Sequence, residues 1–379
     1  MRDVLDDLLR WWEVGETVGL ATVVRTWRSA PRRPGAALLV GPDGQVEGSV
    51  SGGCVEAAVY EVAKEVAAEP GARPVLERYG VSDSDAFAVA LTCGGTIEVF
   101  VEQLSRDTFP QLGEVAAAIR EGRPVAVATC VEPADSPRLG RRMVLWEDGT
   151  SGSFGSARLD AAVADDARGL LVAGRTGMLH YGADGQRRGD ELAVFVNAYA
   201  PPTRMIVFGA IDFAAAVARM GGFLGYHVTV CDARPVFATA KRFPAADEVV
   251  VQWPHRYLEG EVAARRVDER TVLCVLTHDP KFDVPLLELA LRLPVAYVGA
   301  MGSRRTHEDR LARLREHGMT EAELGRLRSP IGLDLGARTP EETAVSIAAE
   351  IIAVRWGGTG EILSDLAGPI HHHGALADL

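Results

Sequence analysis

A thiol flanked by glycines occurs twice in the first hundred residues, in Ser51-Gly52-Gly53-Cys54-Val55-Glu56 and in Thr92-Cys93-Gly94-Gly95. The first stretch precedes a helical pattern, so Cys54 falls where a helix opens. Glycines there let a bulky ligand approach the backbone. The unpaired N–H groups and positive dipole end of a helix start attract anions and favour a thiolate. This chemistry suits a nucleophilic Cys54, or a sulfur contact to an anionic cofactor held by Ser51, Gly52, Gly53, Cys54 and Glu56. The second motif, Cys93, Gly94 and Gly95, is a candidate for the same ligand. The plainer reading makes Cys54 a small core residue beside a tight turn. No His or further Cys lies at zinc-like spacing near either motif, so no metal site is expected.

The C-terminal half offers a different set. Gly209-Ala210-Ile211-Asp212 sits where a G-x-G-x-x-G turn belongs, and Asp232 falls where a ribose-binding acid would. The second glycine is replaced by Ile211, and Asp212 puts a carboxylate where a phosphate would go, which argues against ordinary dinucleotide binding. Gly299-Ala300-Met301-Gly302-Ser303-Arg304 reads as a better anion site, because backbone N–H groups, Ser303 and Arg304 open a helix after a strand. His278 and Asp279 end another strand at the same sheet edge. Three adjacent histidines, His371, His372 and His373, cannot all aim at one ion from a regular element, and they read as an exposed tail.

The elements that must carry these residues come in a repeat. Val14 to Val24 resembles Glu121 to Val131, Asp43-Gly44 recurs as Asp148-Gly149, Gly48-Ser49 as Gly152-Ser153, and Glu56 to Val59 as Asp160 to Val163. The offset drifts only from 107 to 104, so residues 1–105 and 106–199 read as two copies of one unit. Cys54 and Glu56 correspond to Arg158 and Asp160, so the fold is kept without the cysteine. Each copy reads helix, strand, turn, strand, Gly-rich loop, helix. Leu38–Val40 and Val46–Val50 form a hairpin around Pro42–Gly44, and Val55, Val59, Val62 and Val66 share one helix face. Thr96–Glu102 alternates as a half-buried strand.

Beyond a Pro-bearing linker at Tyr199–Thr203 the grammar becomes alternating strand and helix, the sign of a doubly wound parallel sheet over residues 204–360. Strands are expected at Met205–Phe208, His227–Cys231, Glu248–Val251, Thr271–Leu276 and Val295–Val298. A last helix opens with Thr339-Pro340-Glu341-Glu342, a capping box, and stops at Gly357-Gly358. Residues 361–379 read as a tail. The fold class is therefore α/β, an internally duplicated α+β domain followed by a Rossmann-like domain.

Composition narrows the partners. The 379 residues carry 40 basic and 52 acidic side chains, a net charge of −12, which disfavours nucleic acid and anionic membrane as partners. Hydrophobic residues at 47% and charged ones at 24% are ordinary for a globular chain with two or three domains. No apolar run is long enough to span a bilayer. Five widely spread cysteines do not make a disulfide framework, and a cytoplasmic setting is expected.

Taken together, the motifs resemble the xanthine dehydrogenase accessory protein family, XdhC/CoxI, over nearly the whole chain. The likeness rests on Ser29-Ala30-Pro31 with Gly35, on Gly48 to Glu56, and on Cys93-Gly94-Gly95. In the second half it rests on Asp232-Ala233-Arg234, Arg242-Phe243-Pro244, Thr277-His278-Asp279, Gly299 to Arg304, Ser329 to Gly336 and Thr339 to Ile347. The resemblance implies an N-terminal XdhC/CoxI domain and a C-terminal Rossmann domain. It also implies a homodimeric maturation factor rather than a turnover enzyme. Such a factor binds molybdenum cofactor, helps its sulfuration with a cysteine desulfurase, and passes it to an apo molybdenum hydroxylase. Relatives carry Gly-Ala-Gly-His where this chain has Gly209-Ala210-Ile211-Asp212. In the expected arrangement Cys54 and Cys93 hold the metal end and the C-terminal sheet edge holds the phosphate or a nucleotide. The competing readings are an NAD(P)-dependent oxidoreductase and a nucleotide-binding regulator without chemistry.

Overall fold

Residues 1–27, 30–80 and 95–367 are described by a computed structural model. Ser29, Cys93, Gly94 and His371–His373 lie outside the described residues. The chain divides into two units, Met1–Pro201 and a second that begins at Pro202.

In the first unit the order is α1 (Leu5–Glu13), β1 (Val18–Trp27), β2 (Ala37–Val40), β3 (Val46–Gly48), α2 (Glu56–Ala68), β4 (Val75–Gly80) and β5 (Thr96–Leu104). The same order follows again as α3 (Leu112–Arg120), β6 (Val125–Glu132), β7 (Arg142–Trp146), β8 (Thr150–Gly152), α4 (Ala157–Val172), β9 (Gly177–Tyr181) and β10 (Leu192–Tyr199). Two antiparallel sheets result, ordered β3-β2-β1-β5-β4 and β8-β7-β6-β10-β9. Each strand of one sheet has its counterpart at the same place in the other.

Local sequence explains the elements. The Pro42-Asp43-Gly44 turn closes the β2–β3 hairpin, with Gly44 at φ 80° and Asp43 Oδ1 accepting from Gln45 N at 3.1 Å. On α2, Val59 and Val66 bury against the sheet beside Val55. Strand β5 departs from the expected alternation, since six consecutive residues from Ile97 to Glu102 are buried. Helix α2 covers one face through Ile97, Val99 and Val101. The second sheet covers the other, where Val24 and Phe100 meet Val131, Ala193 and Phe195. A strand enclosed on both sides need not alternate. Between the sheets, Arg142 donates to the Glu102 carboxylate.

The second unit runs β11 (Arg204–Phe208), α5 (Asp212–Phe223), β12 (His227–Asp232), β13 (Glu248–Val251), α6 (Pro254–Ala263), β14 (Val272–Val275), α7 (Pro280–Ala290), β15 (Tyr297–Ala300), α8 (Arg304–Glu316), α9 (Glu321–Leu324), β16 (Leu327–Arg328) and α10 (Pro340–Trp356). Its sheet, β13-β12-β11-β14-β15-β16, is parallel throughout. The order reverses between β11 and β14, the crevice where doubly wound sheets open at their carboxyl edge. Helix α10 has the expected capping box, with Thr339 Oγ1 accepting from Glu342 N at 3.2 Å and the Glu342 carboxylate accepting from Thr339 N at 3.1 Å. Gly357, left-handed at φ 72°, ends it.

One boundary moves. The strand expected over Val295–Val298 runs from Tyr297 to Ala300, so Gly299 is a buried strand residue and not part of a ligand loop. A Cβ on Gly299 would lie 2.6 Å from Ile331 and Tyr297 side-chain atoms, so the glycine serves close packing.

Candidate functional site

The loop between β3 and α2 is built around one carboxylate. Glu56 accepts from Ser49 Oγ at 2.7 Å, Ser51 N at 2.8 Å, Ser51 Oγ at 2.5 Å and Gly53 N at 2.8 Å. Ser51 Oγ in turn accepts from Cys54 N at 2.9 Å and Val55 N at 3.0 Å. Burial works against the charged form, but the Ser51 and Ser49 hydroxyls and the Ser51 N–H outweigh it and hold the Glu56 carboxyl at about 2. Glu56 is thus the anion of this helix start, where the sequence suggested a ligand's anion.

The second copy repeats the device. Asp160 accepts from Ser153 Oγ at 2.6 Å and Phe154 N at 2.7 Å. A carboxylate therefore organises both loops, while only the first adds a cysteine. Gly52 and Gly53 adopt φ of 79° and 121°, and a Cβ on either would meet nothing within 4 Å. The loop's outer face is open, and beside it lies the half-buried Cys54, packed on the apolar cluster of Val50, Val55 and Ile97.

Strand directions place the motifs on one sheet end. Trp27 at the end of β1 pairs with Thr96 at the start of β5, and Gly80 at the end of β4 also pairs with Thr96. Gly48 at the end of β3 pairs with Leu38 near the start of β2. The Cys54 loop and Gly95, the buried residue before β5, hence leave the sheet at the same end. Cys93 and Gly94 are outside the described residues.

In the second unit the candidate residues line the carboxyl edge. Gly209, at φ 111°, ends β11, and a Cβ there would come within 2.9 Å of Thr277 N. Asp232, 2% exposed, accepts from Ala210 N at 2.7 Å, from Arg234 N and Nε at 2.9 Å, and from Arg234 Nη2 at 2.8 Å. Burial opposes its charge, but Arg234 and the two backbone donors keep its pKa below the usual carboxylate range. The acid expected for a ribose is saturated by its own surroundings. Asp212, first residue of α5, pairs with Arg242 at 3.1 Å.

His278 is exposed and borders a small cavity with Asp283, Thr306 and Arg310. Asp279 caps α7, its carboxylate accepting from Lys281 N at 3.1 Å and pairing with Lys281 Nζ at 2.9 Å. Ser303 caps α8, accepting from Thr306 N at 3.1 Å, next to Gly302 and the exposed Arg304. The edge thus brings Gly209, Asp232, His278, Asp279, Gly302, Ser303 and Arg304 to one rim. Sequence reasoning missed the buried pair Asp283–Arg310 beneath it and the buried Tyr199 and Arg142 of the first unit. A charged or hydroxylic residue inside an apolar run was the only signal for them.

Comparison with known proteins agrees with this architecture. Residues 11–80 and 118–182 match the model of the XdhC and CoxI family, and residues 205–351 match that of the XdhC Rossmann domain. The chain is 27% identical over 352 residues to a Bacillus subtilis (strain 168) protein named as a probable xanthine dehydrogenase subunit, spanning 93% of this chain and 96% of that one. It is 28% identical over 341 residues to the Escherichia coli (strain K12) molybdenum cofactor insertion chaperone PaoD, spanning 90% and 84%. A crystal structure described as a xanthine dehydrogenase from Bacillus halodurans has the same fold, with a TM-score of 0.65, 24% identity and coverage of 92% and 95%.

Proposed function

The chain belongs to the XdhC and CoxI family, and from that premise we propose that it is an accessory protein that binds molybdenum cofactor as cargo for a molybdenum hydroxylase. One observation carries this reading. The two copies share a carboxylate-organised loop, and only the first carries a thiol, with Arg158 at the corresponding place in the second. A feature present in one copy and dispensable in the other is not needed for the fold.

The loop fits the cargo. The cofactor pairs a phosphate with a soft, dithiolene-bound metal. A thiol is a suitable ligand for such a metal, and the two glycines leave space above the backbone for a bulky group. Because Glu56 takes the loop's inner donors, the chain's contribution here is the Cys54 sulfur and the open face, not an anion hole. Assistance with sulfuration of the cargo alongside a desulfurase belongs to the same proposal, as do release to an apo hydroxylase and a homodimeric state. In the second unit, Asp212 with Arg242 and Asp232 with Arg234 fill the places a dinucleotide needs, which weighs against an NAD(P)-dependent oxidoreductase.

The test is anaerobic incubation with molybdenum cofactor, gel filtration, and assay of co-eluting molybdenum and pterin. Wild type retains about one cofactor per chain, and Cys54→Ala keeps its circular dichroism spectrum but loses most of the molybdenum. Equal retention by the variant removes Cys54 from the proposal. No retention by wild type removes the carrier function.

A further inference from the structure

Strand register identifies equivalent residues in the two copies. Thr22 pairs with Phe100 in one sheet and Thr129 with Phe195 in the other. Glu102 and Leu104 therefore correspond to Asn197 and Tyr199. The Tyr199 ring is 3% exposed, and its hydroxyl has no hydrogen-bond partner among the described residues. A buried hydroxyl left unpaired marks a missing partner. Tyr199 lines the narrow space between the two sheets and also a cavity of about 360 Å³ whose wall includes Met1, Arg2, Asp3, Arg32, Arg33 and Asn197.

Basic side chains are part of the cavity wall. Arg2, Arg32 and Arg33 line it together with Asp3, which pairs with Arg32 at 2.6 Å, while Arg2 donates to Ala200 O at 2.6 Å. The groove that contains Glu102 in the other half is lined by Arg141 and Arg142, with Arg142 paired to that carboxylate, and Leu104, the counterpart of Tyr199, does not reach it. The basic wall, Pro31–Ala36, joins β1 to β2 and leaves the sheet at the same end as the Cys54 loop. Ala36 and Cys54 pack on one apolar cluster.

We propose that this cavity binds a phosphate monoester, the Tyr199 hydroxyl and Asn197 amide donating to its oxygens and Arg2, Arg32 and Arg33 supplying positive charge. Two sources share that chemistry, the phosphate end of molybdenum cofactor and free phosphate. The choice of the cofactor rests on the function proposed above, and the phosphate site itself does not. With Cys54 at the same sheet end, one elongated ligand would be held by metal and phosphate within the first unit. The α8 start at Gly302–Arg304 is the competing phosphate site, although Ser303 already caps it.

The experiment titrates the full chain with inorganic phosphate by calorimetry, then repeats the cofactor retention assay with and without excess phosphate. Wild type is compared with Tyr199→Phe, with Arg32→Ala/Arg33→Ala, and with Arg304→Ala. Tyr199→Phe leaves the ligand-free melting temperature unchanged or higher, because it removes an unpaired polar group. It weakens phosphate binding about tenfold. The double arginine variant weakens it further, and Arg304→Ala behaves as wild type.

Absence of phosphate binding, or equal binding by wild type and all variants, overturns the site. Loss of phosphate binding only in Arg304→Ala also overturns it, in favour of α8. Phosphate binding that depends on Tyr199, in a protein that retains no cofactor, supports the site and defeats the carrier function instead. Cofactor retention that falls in Tyr199→Phe and under excess phosphate identifies the cofactor as the source.

Discussion

Arg310 Nη2 lies 2.9 Å from Asp283 Oδ2, with the two side chains only 3% and 5% exposed. The pair ties α8 to α7 beneath the carboxyl edge of the parallel sheet. Arg310 also donates to Met301 O at 2.9 Å and Ser329 Oγ at 3.0 Å, and Asp283 accepts from Thr277. The guanidinium holds three segments of the rim, at Asp283, Met301 and Ser329. Removing one partner leaves a buried charge uncompensated, so Arg310→Ala is expected to cost about 3–5 kcal/mol. Replacing both partners by apolar residues, Arg310→Met/Asp283→Leu, recovers most of that loss. Urea denaturation of the two variants checks the pair, and a loss that the double variant fails to reduce contradicts it.

Glu56 gives a pH dependence with a definite sign. Its folded pKa of about 2 lies below the ordinary 4.5. The stability it adds is therefore present above the unfolded value and lost as pH falls through the window from 4.5 to about 2. The linkage is worth about 1–2 kcal/mol once discounted for solvent around a half-buried group. The stability gap between wild type and Glu56→Gln narrows across this window. A gap that stays constant from neutral pH down to pH 2 refutes the assignment.

Two glycines with positive φ separate strain from crowding. At Gly53, φ is 121° with empty space around the absent side chain, so Gly53→Ala meets only backbone strain of about 1–2 kcal/mol. At Gly209, φ is 111° and the new methyl would press on Thr277 N and Cγ2 at 2.9 Å, so Gly209→Ala costs about 3–5 kcal/mol. Thermal unfolding of both proteins should rank them in that order.

Asp212 opens α5 at the β11–α5 turn and pairs with Arg242 at 3.1 Å. Titration of NAD into wild type produces no saturable signal, while Ile211→Gly/Asp212→Asn gains one, because a carboxylate no longer meets the pyrophosphate at the helix N-terminus. Saturable NAD binding by wild type would revive the oxidoreductase reading.

The parts of this molecule that sequence revealed are those fixed by neighbours along the chain. The α10 capping box needs only Thr339, Pro340 and Glu342, and the β2–β3 hairpin only its Pro42–Gly44 turn. Repetition of Val14–Val24 at Glu121–Val131 exposed the pairing of two similar sheets. Features fixed by distant partners stayed hidden. Strand β5 lost its alternation because a second sheet, about a hundred residues away, covers its other face. The role of Glu56 was legible only as an acid near a helix start, because its partners are chosen by the path of the loop. Tyr199 read as the start of a Pro-bearing linker, and only the packing of β10 shows that its hydroxyl is buried without a partner among the described residues.

The buried Arg142–Glu102 contact has a bearing on the history of the duplication. A half-length chain made of the first copy alone would expose Val24 and Phe100 and would need another of its kind to cover them. In that pairing Ala37 would stand in the place of Arg142, since Thr22 pairs with Ala37 as Thr129 pairs with Arg142. Each Glu102 would then be buried without a guanidinium. At this contact the two halves are complementary and not interchangeable.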